Sequence, residues 1–110
     1  MSIFGIFGRV IVEGTSMQPT YNPQDWLLVF YGISRKKHLH LKAGDVAVIE
    51  REQQPGIFYI KRVTEVKKGN FGQESFFVTS DNELGTDSRT WGLLSKEEIV
   101  AKVIVRIKKS

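Results

Sequence analysis

The chain has 110 residues, no cysteine and a formal net charge of +4. At 41% hydrophobic and 25% charged residues it has the balance of one folded domain spanning residues 1–110, which excludes a disordered chain, a disulfide scaffold, a thiol nucleophile and a cysteine-based zinc site. The basic excess sits in Arg35-Lys36-Lys37, Lys67-Lys68 and Arg106-Ile107-Lys108-Lys109, at turns and at the chain end where charge is solvated. No basic helix studded with aromatics accompanies it, so nucleic acid is not an expected partner.

The first apolar piece, Ile3 to Phe7, ends at Gly8-Arg9. It is too short to span a bilayer, and it lacks the basic start and small-residue cleavage site of a signal peptide. Residues 3 to 7 are candidates for membrane-surface contact or for the first strand of the core. From there the pattern is β. Strands rich in Val, Ile, Phe and Tyr are predicted at Arg9 to Glu13, Trp26 to Tyr31, Val46 to Glu50, Ile57 to Val66, Ser75 to Thr79 and Ile99 to Ile107. Turn residues separate them: Asn22-Pro23, Ala43-Gly44-Asp45, Pro55-Gly56 and Gly69-Asn70. The helical signal is Ser95-Lys96-Glu97-Glu98, a capping-box pattern with room for little more than one turn. The expected fold is all-β: mainly antiparallel, partly closed and barrel-like, with at most a short helical turn.

Three segments carry chemistry. In Glu13-Gly14-Thr15-Ser16-Met17-Gln18-Pro19-Thr20, a serine stands on a sharp turn between two apolar runs. Gly14 frees the backbone before it and Pro19 stiffens the backbone after it. An ordinary loop has the same composition, so the turn gains meaning only from the other two segments. In Tyr59-Ile60-Lys61-Arg62-Val63, strand alternation puts Ile57, Tyr59, Lys61 and Val63 on one face. A lysine on a core-facing surface loses water, and its pKa falls from about 10.4. Lowered to roughly 7 or 8, it can act as a general base near neutral pH. A lysine that instead snorkels from the sheet edge stays charged. Arg62 faces the other way and keeps its proton. The third segment is the polar loop Ser80-Asp81-Asn82 with Asp87-Ser88-Arg89-Thr90-Trp91-Gly92.

In order and type, these blocks resemble the catalytic domain of type I signal peptidases, serine proteases with a Ser/Lys dyad. Gly14 to Thr20 resembles the nucleophile box. Gly44-Asp45-Val46 with Tyr59 to Val63 resembles the middle boxes. The third segment resembles the last box, usually Gly-Asp-Asn followed by Ser-x-Asp-Ser-Arg-x-Trp-Gly. The resemblance implies that Ser16 is the nucleophile, Lys61 the neutral base, and the Ser16 backbone N–H an oxyanion-hole donor. It implies that Gly14, Asp87, Ser88 and Arg89 are supporting residues, and that Met17 and Trp91 pack. The implied reaction is cleavage of N-terminal signal or leader peptides after small residues, as in Ala-x-Ala, with no metal and no cofactor. The implied partner is a precursor polypeptide bound as an extended strand.

The pattern has departures. Ser80 stands where Gly is usual. Gly85 stands where many relatives place a serine that bonds the lysine, so Thr86, Ser80, Ser88 or water must orient Lys61. Gly14 stands where some relatives carry a hydroxyl donor, so a second oxyanion donor must come from the backbone. Three settings stay open: a signal peptidase at the outer face of the bacterial membrane, a soluble cytoplasmic maturation protease for one precursor (such as nickel superoxide dismutase), and a catalytically silent peptide-binding module. Two decoys are set aside. Ser34-Arg35-Lys36-Lys37 fits Ser-x-x-Lys but lies in a basic loop, without a Lys-Thr-Gly elsewhere. His38-Leu39-His40 lacks further His or Cys to complete a metal site.

Overall fold

The computed structural model describes residues 6–32 and 39–110. The Ser34 to Lys37 decoy, His38 and residues 3–5 lie outside them. Seven strands form one sheet: β1 (Ile6–Ile11), β2 (Trp26–Gly32), β3 (Val46–Glu50), β4 (Phe58–Lys68), β5 (Glu74–Thr79), β6 (Leu94–Ser95) and β7 (Ile99–Lys108). Their order across the sheet is β1-β2-β7-β3-β4-β5-β6, and every neighbouring pair is antiparallel. The all-β antiparallel expectation holds. Among the described residues β1 and β6 each pair on one side only, so the sheet is open.

β3 explains why the sheet is covered on both sides. Its sequence Val46-Ala47-Val48-Ile49 has no polar alternation, and all four residues are buried. Val46 and Val48 join Val12, Met17, Leu27, Val29, Ala101 and Val103 in one apolar cluster. Ala47 and Ile49 join Leu41, Val63, Phe76, Val78, Leu94 and Ile99 in another. A strand buried on both faces reads as a continuous apolar run. The outer strand β1 is exposed or half-buried along its length.

Two short elements complete the fold. Ser95 to Glu98 makes the expected capping box, with a single 3-10 turn over Lys96–Glu98. A four-residue helix, α1 (Ser88–Trp91), is capped by Asp87, whose carboxylate accepts the Arg89 backbone N–H.

Candidate active site

The serine turn is fixed from two sides. Met17, only 1% exposed, plugs the turn into the first cluster. Asn82 clamps it from the facing loop: its backbone N–H donates to the Ser16 carbonyl at 2.8 Å and its side-chain amide to the Thr15 carbonyl at 3.0 Å. Gly14 has φ +75°, and a Cβ built on it meets nothing within 4 Å. Backbone conformation, not crowding, selects glycine there. Gly14→Ala should therefore cost about 1–2 kcal/mol in a denaturant titration, with no repacking around it.

Lys61 belongs to the buried face of β4, beside Val63, and is only 2% exposed. The rings of Tyr59 and Trp91, 4.9 Å apart, wall it in, with Nζ 5.7 and 5.9 Å from their centroids. Burial pushes the Lys61 ammonium below its ordinary pKa; the Asp87 carboxylate opposes this and the Arg89 guanidinium adds to it. Nζ donates a 2.9 Å hydrogen bond to Ser80 Oγ. Of the hydroxyls considered from sequence, Ser80 is the one that meets the amine, whereas Ser88 Oγ accepts from the Val78 backbone N–H at 2.9 Å.

Ser16 and Ser80, the residue that holds the Lys61 amine, both border Gly85. A Cβ at position 85 would stand 3.0 Å from Ser16 Cβ and 2.3 Å from Ser80 Oγ, the oxygen that holds Lys61.

Below this point lies a polar frame. Asp87 accepts the Ser80 backbone N–H at 2.7 Å, and the Arg89 backbone N–H and side-chain Nε at 3.0 and 2.9 Å. Burial alone would raise the Asp87 carboxyl, but these hydrogen bonds and the Arg89 charge hold it below the usual carboxylate range. Arg89 also reaches the carbonyls of Glu83 and Gly85, tying down the loop beside Ser16. Gly14 thus belongs to the serine turn, and Asp87, Ser88 and Arg89 to the hydrogen-bonded loop beside Ser80 and the end of β5.

Sequence reasoning missed two clamps. Asn82 on the serine turn is one. The other is Arg62, which forks onto Asp81 with two 2.8 Å hydrogen bonds while Asp81 accepts the Thr20 hydroxyl at 2.6 Å. The Arg62 bonds hold the Asp81 carboxyl below its ordinary pKa. The available signal was strand alternation: Arg62 must emerge on the face opposite Lys61, toward the loop that carries Asp81.

Ser16 opens onto a groove of about 620 Å³ between β1 and the start of β4, lined by Val10, Val12, Tyr31, Val48, Ile60 and Val100 among others. No group of three or more His, Cys, Asp or Glu is placed to hold a metal among the described residues. Among those residues, too, no helix is long and apolar enough to cross a membrane.

The chain belongs to the signal peptidase family, peptidase S26, whose sequence model matches residues 1–66. It is also similar to mitochondrial inner membrane protease subunit 2 of Saccharomyces cerevisiae, with 30% identity over 114 residues, covering 84% of this chain and 63% of that protein. The chain therefore spans less than two thirds of the length of the curated relative it matches.

Proposed function

We propose that this chain is the catalytic core of a serine endopeptidase that removes N-terminal signal or leader segments after small residues, with Ser16 as nucleophile and Lys61 as base. The observation that carries this reading is a buried lysine whose amine is held by the Ser80 hydroxyl, with Ser80 and the turn serine Ser16 both bordering Gly85 and Ser16 lining an apolar groove. Family membership supports the reaction type.

The geometry suits the chemistry. A precursor lies extended along β1, whose outer edge has no strand partner among the described residues, and its apolar side chains enter the groove. Ser16 Oγ attacks the scissile carbonyl while Lys61 Nζ takes the hydroxyl proton. The negative charge that develops on the carbonyl oxygen is met by the Ser16 backbone N–H. Lys61 returns the proton to the leaving amine, leaving an acyl-enzyme. Water, deprotonated by the same amine, then releases the acyl fragment. Ile6 and Phe7, each 53% exposed, belong to the piece that would contact a membrane surface, and Ile57 and Phe58 add apolar surface at the groove.

Incubation with a peptide carrying Ala-x-Ala tests the reading. Cleavage should fall after the second alanine, persist in chelator and disappear in Ser16→Ala. Activity that survives Ser16→Ala, or that chelator removes, would overturn it.

A further inference from the structure

We infer that Ser80 is a positioning residue that aims Lys61 at Ser16, and that position 85 is glycine because the Ser80 hydroxyl fills the space its side chain would need. The inference rests on the dyad reading above and adds the part that orients the base.

Ser80 is held at both ends. Its backbone N–H is fixed by Asp87 at 2.7 Å, and its Oγ accepts from Lys61 Nζ at 2.9 Å. Both side chains are buried, Ser80 at 9% and Lys61 at 2% exposure, so water has little access to replace the contact. An amine at the end of four methylenes has many rotamers, and a proton acceptor needs one direction. Committing one N–H to Ser80 restricts where the nitrogen lone pair can point, and the Ser80 hydroxyl and Ser16 both border Gly85. A base misaimed by about 1 Å can cost on the order of a hundredfold in rate.

Gly85 supplies the second observation. Its φ lies outside the left-handed region, so its backbone conformation does not demand glycine. The demand is spatial. A Cβ there would sit 2.3 Å from Ser80 Oγ and 2.7 Å from Ser80 Cβ. These are buried, hydrogen-bonded atoms that cannot move without releasing Lys61. Positions 80 and 85 therefore compete for one volume, and only one of them can present a side chain to the amine. A hydroxyl offered from position 85 with glycine at position 80 would enter the same space.

Steady-state cleavage of the Ala-x-Ala peptide by the full chain tests this. Ser80→Ala should lower kcat about 10- to 100-fold with KM little changed. It should also move the acid limb of kcat/KM to lower pH, because the lost acceptor favoured the charged amine. Gly85→Ala, which displaces the Ser80 hydroxyl, should give the same fall in kcat. The double variant S80G/G85S should recover most of the rate that Ser80→Gly loses. A purely structural role would change melting temperature and leave the pH limb in place. Ser80→Ala with wild-type kcat and an unmoved limb, while Ser16→Ala is inactive, overturns the inference and leaves the dyad standing. Cleavage by Ser16→Ala overturns the dyad itself. If Ser80→Ala does not fold, a folded Gly85→Ala with wild-type kcat is the overturning result.

Discussion

Lys61→Met should lower kcat by about four orders of magnitude and yet leave the domain at least as stable as wild type near neutral pH. The two effects have one cause. Lys61 is buried against Tyr59, Val63 and Trp91, where an ammonium loses its hydration. In the proposed mechanism that loss makes the amine available as a base, and it burdens the folded state whenever the amine is protonated. Methionine keeps the length and apolar stem and removes the burden. Replacing a buried ion by an apolar side chain of similar volume is commonly neutral or stabilising by about 1 kcal/mol or more.

The pH dependence has a definite sign. The folded pKa of Lys61 lies below the unfolded value of about 10.4, so between the two the unfolded chain binds the extra proton. Wild-type stability therefore climbs as pH rises through that window. The advantage of Lys61→Met is greatest below the folded pKa and shrinks toward pH ~10.4. Denaturant titrations at several pH values measure this. An advantage that grows with pH would contradict the burial account. In the proposed dyad the two side chains act as a unit, so the double variant S16A/K61M should be no slower than either single variant.

The second large effect is on stability. Asp87→Ala should destabilise the domain by about 3 kcal/mol or more, read from the denaturant midpoint. Asp87 is 1% exposed, caps α1, accepts the buried Ser80 N–H and pairs with Arg89. Alanine leaves that N–H and the Arg89 backbone N–H at the start of α1 without acceptors. Here the sign is opposite to that of Lys61. The carboxyl is held below its ordinary value of about 3.9, so its contribution is present above that pH and is lost as pH falls through the folded value. The gap between wild type and Asp87→Ala should therefore close in acid. A gap that stays constant down to acid unfolding would mean the carboxylate charge is not what stabilises the loop.

Much of this was legible in the residues. The six strands predicted from composition correspond to β1–β5 and β7, with ends displaced by up to three residues. Alternation from Tyr59 to Val63 gave the buried face of Lys61, because side-chain direction in a strand follows from parity alone. The elements missed were α1 and β6. Four residues and two residues are too short for any periodicity; α1 is set by its adjacent cap Asp87, and β6 by Ser75 and Phe76, partners distant in sequence. Which hydroxyl meets Lys61 was also hidden, for a reason of register. β5 ends with Thr79 paired to Arg62, so the next residue, Ser80, comes level with Lys61. That register passes through an irregularity between Val63 and Glu65, and nothing in the local sequence announces it.

The double-sided burial of β3 also bears on which changes the chain can absorb. A strand with one wet side can drift at every second position, but Val46 to Ile49 has no such side. Each of those four residues abuts one hydrophobic layer or the other, so enlarging or polarising any of them disturbs packing somewhere. Random mutagenesis screened for folding should find this quartet among the least permissive stretches of the chain, and β1, half open to solvent, among the most forgiving.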